Sequence, residues 1–117
     1  MTDPVHLVAI GGVVGALLRH AVSVAVDRES FPAGTLTVNV VGSFALGLLT
    51  ALNPGPDATA LIGIGVCGSF TTFSSFAVDV VRLWEAGERR TAVGYALANL
   101  LGALGAIVVA GWLAALV

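Results

Sequence analysis

Four long apolar stretches, separated by short connections that hold most of the charge, constrain this chain more than any other feature. A helix needs about 20 apolar residues to cross a bilayer, and each stretch reaches or approaches that length. The pattern predicts an all-α integral membrane protein that forms one transmembrane domain over residues 1–117. Its four transmembrane helices are predicted at residues 5–26, 35–52, 58–84 and 91–117.

The composition agrees with this prediction and excludes several classes of protein. Of the residues, 57% are hydrophobic and 10% are charged, whereas about a quarter are charged in a typical soluble domain. Five Arg, no Lys and one Cys cannot form a nucleic-acid surface or a disulfide framework. We therefore expect no nucleic-acid partner. Because no nucleophile accompanied by a base is visible, we also expect no enzymatic activity.

The third stretch differs from an ordinary membrane span, because glycines and hydroxyl residues replace aliphatic residues along residues 63–76. Non-helical backbone at membrane depth is tolerated only where it is buried in protein or lines a wet cavity. A break in this helix between Gly68 and Thr71 would therefore mark a functional site. The alternative is a continuous helix that is kinked at its glycines.

Two phenylalanines follow the glycines at helical spacing. Phe73 and Phe76 lie three residues apart, as do Thr72 and Ser75, so each pair shares a helix face. Paired Phe residues at this spacing are usually core residues. The functional alternative is that their positive ring edges face a small anion, to which neighbouring hydroxyl groups donate hydrogen bonds.

Other polar residues within the spans are further candidates. Asn39 and Asn99 are the only amides in the second and fourth spans, and each is either an anion donor or a link between helices. Arg19 either attracts anions at a vestibule or extends to the membrane interface. Asp79 is expected to pair with Arg82 one helical turn away.

Small residues at four-residue spacing predict close contacts between helices, because they allow two backbones to approach in lipid. Gly11 and Gly15 form the clearest pair. Looser pairs are Ser43 with Gly47 and Ala98 with Gly102.

Four motifs, in order along nearly the whole chain, resemble the Fluc family of small fluoride channels, also called CrcB. They are GGVVGALLR at 11–19, PAGTLTVN at 32–39, GVCGSFTTFSSF at 65–76, and Gly94-Tyr95 followed by Asn99. The third motif is the specific one. The chain departs from many members at Ser69 and Phe70, where a second Gly and then Leu are common, and at Ala103, where some members have Ser.

This resemblance implies a fluoride-specific ion channel of the cell membrane that exports fluoride passively and lowers its toxic cytoplasmic concentration. It further implies an antiparallel, dual-topology dimer with two fluoride pathways. A structural Na+ would lie at the centre of the dimer interface. The backbone carbonyls of Gly68 and Thr71 from each subunit would hold it, as suits a hard cation.

By the same resemblance, the fluoride pathway would consist of two ring edges, an amide donor, two hydroxyl groups and two polar groups of the fourth helix. These are Phe73 and Phe76, Asn39, Thr72 and Ser75, and Asn99 and Tyr95, respectively. Arg19 would lie near a vestibule.

The distribution of the arginines predicts how the subunits insert into the membrane. All five fall on or near the side of the loops that follow the first and third spans, so the positive-inside rule places both termini outside. A dimer of two opposite insertions of one chain needs a weak charge bias. The asymmetry therefore suggests a fixed orientation and an antiparallel partner encoded by a paralogue, and assembly of the chain with itself is the alternative.

Two other functions fit part of the pattern. A non-conducting structural subunit of a heterodimeric fluoride channel is compatible with the charge bias. A small multidrug exporter is another four-helix antiparallel dimer, but it would need an intramembrane carboxylate to couple protons to efflux, and the first span has none.

Overall fold

The computed structural model describes residues 3–117. Within that range, four helical segments are long and apolar enough to cross a membrane, at Pro4–Val26, Ala33–Leu52, Pro56–Glu85 and Arg89–Ala114. The prediction of four membrane-capable helices is confirmed, and the ends of these helices lie within three residues of the predicted ends. The fourth helix ends at Ala114, slightly earlier than the predicted end of the chain.

Local capping explains where the first two helices begin and end. Helix α1 (Pro4–Val26) starts at Asp3, whose Oδ1 accepts a hydrogen bond from the Val5 N–H at 2.9 Å. Helix α2 (Ala33–Leu52) ends at Asn53, which adopts the left-handed backbone conformation with φ 47°.

The third span is divided into four segments. A short helix α3 (Pro56–Ala58) leads into a π-helix (Thr59–Cys67), which is followed by α4 (Gly68–Phe70) and α5 (Phe73–Glu85). Thr71 and Thr72 between α4 and α5 have extended backbone. The predicted break is confirmed, at the carboxyl end of the predicted segment. The π-helix was not predicted, because an apolar Gly-rich run has no sequence pattern that distinguishes i→i+5 from i→i+4 hydrogen bonding.

The predicted glycine contact brings α1 against the π-helix. A Cβ atom added to Gly11 would lie 2.9 Å from both the Gly65 Cα and the Val66 N atoms, so the two backbones touch without intervening side chains. The α2 helix packs mainly on α6 (Arg89–Ala114), where a Cβ on Gly102 would lie 2.9 Å from a Val40 methyl group. These two pairs of helices hold the break between α4 and α5 beside α2.

A small core joins α5 to α6 near the arginine-rich end. Its buried members are Leu83, Ala92 and Tyr95, and the half-buried Phe31 and Phe76 pack against them. Since Phe31 belongs to the loop between α1 and α2, this core also fixes that loop on the same side as the loop between α5 and α6.

Candidate functional site

A cavity of about 600 Å³ lies where α2, the third span and α6 meet, and every residue that lines it is uncharged. Apolar and small side chains form most of its wall. The predicted site residues that line it are Asn39, Gly68, Thr71, Thr72, Phe73, Phe76 and Asn99. The fold therefore brings together residues that are up to 60 positions apart in the chain.

The break changes the partners of two backbone amides. In an unbroken α-helix the N–H of Thr72 would donate to the Gly68 carbonyl, and that of Ser75 to the Thr71 carbonyl. Instead, the Thr72 N–H donates to Oδ1 of Asn39 at 2.8 Å. The Ser75 N–H donates to Oγ1 of Thr72 at 3.1 Å, which caps the start of α5. The carbonyls of Gly68 and Thr71 thus lose their usual helical donors.

Asn39 joins α2 to the break and to α6. Its Nδ2 donates to the Thr72 carbonyl at 3.0 Å and to Oδ1 of Asn99 at 3.0 Å. Asn99 is buried, and its own Nδ2 donates to the Tyr95 carbonyl at 3.0 Å. The two amides predicted as candidates therefore form one hydrogen-bonded chain across three helical segments.

Aromatic rings continue from the cavity into the core. Phe73 and Phe76 lie 5.7 Å apart between ring centroids, tilted by 50°. Phe76 stacks on Tyr95 at 5.8 Å between ring centroids, and Phe31 meets Tyr95 edge-on at 5.5 Å. Phe73 is 79% exposed in the single chain. Phe73 is therefore the outermost ring, and Phe76 lies between Phe73 and Tyr95.

Sequence reasoning missed the partner of Asp79. The buried Tyr95 hydroxyl donates to Oδ2 of Asp79 at 3.0 Å, so this carboxylate is bound by the fourth helix, where a pair with Arg82 was expected. Asp79 and Arg82 both line two smaller cavities of about 250 and 300 Å³ near the arginine-rich end. No sequence signal connects Asp79 with a tyrosine 16 positions later.

The remaining predicted residues lie outside the large cavity. Ser75 lines the 300 Å³ cavity with Asp79 and Arg82. Tyr95 lies behind Phe76, and its hydroxyl is bound to Asp79. Arg19 is half-buried on α1 and lines none of the three cavities. Ser43, for which only a packing role was predicted, lines the large cavity one turn after Asn39.

The sequence that carries these residues can be compared with the sequences of known protein families. A family model described as CrcB-like protein, Camphor Resistance (CrcB), matches residues 6–112. The chain belongs to the CrcB family. Since four of its helices can span a bilayer, it is a multi-pass membrane protein of that family.

Several related proteins are similar to this chain over most of their length. A Haloarcula marismortui protein named fluoride-specific ion channel FluC 2 is 57% identical over 102 residues, which cover 87% of this chain and 86% of the relative. FluC 1 of Halobacterium salinarum is 53% identical and the match covers 97% and 94% of the two chains. FluC of a Chelativorans species is 43% identical, with coverage of 92% and 93%.

Proposed function

We propose that this CrcB protein forms a fluoride-specific channel through which fluoride leaves the cell passively, and that conduction, without catalysis, is its activity. The observation that carries this proposal is the uncharged cavity in which the Phe73 and Phe76 rings adjoin the amides at the helix break. The names of the related proteins support it, since they are fluoride-specific ion channels.

The chemistry of the cavity suits a small, strongly hydrated anion. Amide N–H groups and positive ring edges replace part of the water that fluoride loses on entry. Because no formal cation lines the cavity, the anion is bound weakly enough to leave again, as conduction requires. A larger halide would fit the same donors poorly. The expected consequence is low cytoplasmic fluoride at no energetic cost to the cell.

We propose that the conducting unit is an antiparallel dimer. Support comes from groups at the break that a single chain leaves uncovered: Phe73 is 79% exposed, and Gly68 is exposed as well. A partner of opposite orientation would cover both and complete the wall of the cavity. Ser75, Tyr95 and Arg19 would then act at the edge of the pathway, with Arg19 near a vestibule.

The same break is suited to a structural Na+ at the centre of the dimer. Hard cations take oxygen ligands, and the Gly68 and Thr71 carbonyls have lost their helical donors. Two carbonyls from each of two chains would supply four oxygens. The described residues hold no cluster of three His, Cys, Asp or Glu side chains that could serve instead. When bound, the ion would neutralise the carbonyl dipoles and hold the two breaks together.

The arginine asymmetry favours an oppositely oriented paralogue as the partner, and assembly of the chain with itself is the alternative. In the structure the loop after α1, which contains Arg28, lies at the same end as the α5–α6 connection, which Arg82, Arg89 and Arg90 flank, because Phe31 packs against the core of α5 and α6. Positively charged loops stay in the cytoplasm, so a single orientation is expected. A non-conducting role for this subunit is less well supported, since its cavity keeps both rings and both amides.

Fluoride efflux from liposomes tests these proposals separately. The chain is reconstituted alone, and again with an oppositely biased paralogue, with chloride-loaded and Na+-free controls. Efflux by the chain alone would show a conducting homodimer and would refute the need for a paralogue. Efflux only with the paralogue would support the heterodimer. If the folded protein is silent in both preparations, the channel proposal is wrong.

A further inference from the structure

The connection between α5 and α6 places arginine side chains at the level of the lipid headgroups. Helix α5 ends at Glu85 and α6 begins at Arg89, and both helices belong to spans long enough to cross a bilayer. Arg89 and Arg90 are exposed. Because the ends of a membrane-spanning helix lie near the interface, these guanidinium groups are within reach of phospholipid headgroups.

The ring of Trp84 holds one of these arginines in place. The central carbon of the Arg89 guanidinium group lies 4.9 Å from the centroid of the Trp84 ring, which is within the range of a cation–π contact. Such a contact forms no hydrogen bond, and no hydrogen bond from the Arg89 side chain to another group is found among residues 3–117. A planar guanidinium group with free N–H groups can bind a phosphate through two parallel hydrogen bonds.

The surface beside this contact is apolar. Trp84 is 47% exposed, and Val81, three residues earlier on the same side of α5, is 52% exposed. Tryptophan is typical of the membrane interface, where its ring contacts lipid and its N–H meets polar groups. Trp84 therefore joins a group that binds phosphate to an apolar strip that suits an acyl chain.

We propose that Trp84 and Arg89 bind a membrane phospholipid, with its phosphate on the guanidinium group of Arg89 and an acyl chain along Trp84 and Val81. Charge complementarity identifies the phosphate, and the exposed apolar surface identifies a lipid as its source. Residues 82–90 contain three Arg and two Glu, so their net charge is only +1 and general attraction to an anionic surface is weak. Recognition accordingly depends on the geometry at Arg89. The proposal concerns binding and stability and does not depend on fluoride conduction.

The experiment measures the thermal midpoint of the delipidated protein in a maltoside detergent, with the partner that the chain requires, as dioleoylphosphatidylglycerol is added. Dioleoylglycerol has the same acyl chains without the phosphate, and inorganic phosphate has the anion without the chains. We expect the phospholipid alone to raise the midpoint. A similar rise with dioleoylglycerol or with inorganic phosphate would overturn the proposal, as would the absence of any rise.

Two variants test the assigned groups. Arg89→Gln should raise the half-saturating phospholipid concentration by about tenfold, because it removes the hydrogen bonds between two charged groups. Trp84→Leu keeps an apolar residue for the acyl chain but loses the cation–π contact, and should raise that concentration by about threefold.

Arg28→Gln is the matched control, because it removes one exposed positive charge at the same end of the protein from a residue for which no cation–π contact is found among residues 3–117. It should leave half-saturation unchanged. Equal shifts in Arg28→Gln and Arg89→Gln would show attraction by general charge and would overturn the proposal. An unchanged half-saturation in Trp84→Leu would do the same. If neither Arg89→Gln nor Trp84→Leu folds, the contact is structural and the proposal is wrong.

Discussion

Replacing Phe76 by Ile tests whether an aromatic ring edge acts in the pathway. Phe76 lies between Phe73, at 5.7 Å, and Tyr95, on which it stacks at 5.8 Å. An Ile side chain keeps most of the apolar volume and remains compatible with the helix. It removes the quadrupole of the ring, and with it both the aromatic pairs and the positive edge that would face fluoride.

The two ring pairs seen in the structure and the usual strengths of aromatic interactions give the size of both effects. Each aromatic pair contributes about 0.5–1.5 kcal/mol beyond its buried area, so the loss of two pairs lowers the free energy of unfolding by about 1–3 kcal/mol. The attraction between a cation and a ring face is worth about 0.5–2 kcal/mol, and we take the same size for an anion at the ring edge. If the transition state for permeation loses about 1.4 kcal/mol of this attraction, fluoride efflux slows by about tenfold.

The assay is initial fluoride efflux from liposomes, normalised to the amount of folded protein by size-exclusion chromatography. Phe70→Ile is the matched control, because Phe70 is in the same span but lines none of the three cavities. It should retain the efflux of the unmodified protein. Unchanged efflux in Phe76→Ile, or an equal loss in Phe70→Ile, would refute the role of the ring edge.

Three further predictions concern the core, the helix contact and the cation. Tyr95→Phe removes the donor to Asp79 and should lower the free energy of unfolding by about 1.5–3 kcal/mol, measured by chemical denaturation; no change would mean that water satisfies the carboxylate. Gly11→Val should lower the free energy of unfolding by about 1–3 kcal/mol or more, because the new side chain would contact Gly65. Gly12→Val should not, because the space around its Cβ is open. Equal thermal midpoints of the two variants would show that α1 can move away from the π-helix. Removal of Na+ should abolish fluoride efflux and dissociate the dimer, seen by size-exclusion chromatography, and persistence of both in Na+-free buffer would exclude a structural ion.

The four spans could be predicted from the sequence because hydrophobicity and length alone decide whether a helix can cross a bilayer. The break could also be predicted, since glycines and hydroxyl residues at mid-span indicate backbone that is not a uniform helix. Its position at Thr71 and Thr72 depends on Asn39, which binds the Thr72 N–H from another helix. That contact joins residues 33 positions apart and has no local signal.

The sequence predicted only part of the candidate site, because contacts between distant residues have no local signal. Asn39 and Asn99 stand out as the only amides in the second and fourth spans, so their importance is visible in the sequence. That Asn39 uses both of its amide hydrogens within the chain, on Thr72 and Asn99, is visible only in the structure. The prediction that Asp79 pairs with Arg82 relied on helical spacing, whereas packing of α5 on α6 brings the Tyr95 hydroxyl to the carboxylate.

The sequence by itself determined that the chain is a membrane protein with four helices and that polar chemistry is concentrated in the third span. Those properties follow from composition and local periodicity, which need no knowledge of neighbours. The tertiary structure decided which polar groups satisfy one another. Hydrogen bonds in a dry interior depend on distances of about 3 Å between distant parts of the chain, and only the packed fold sets those distances.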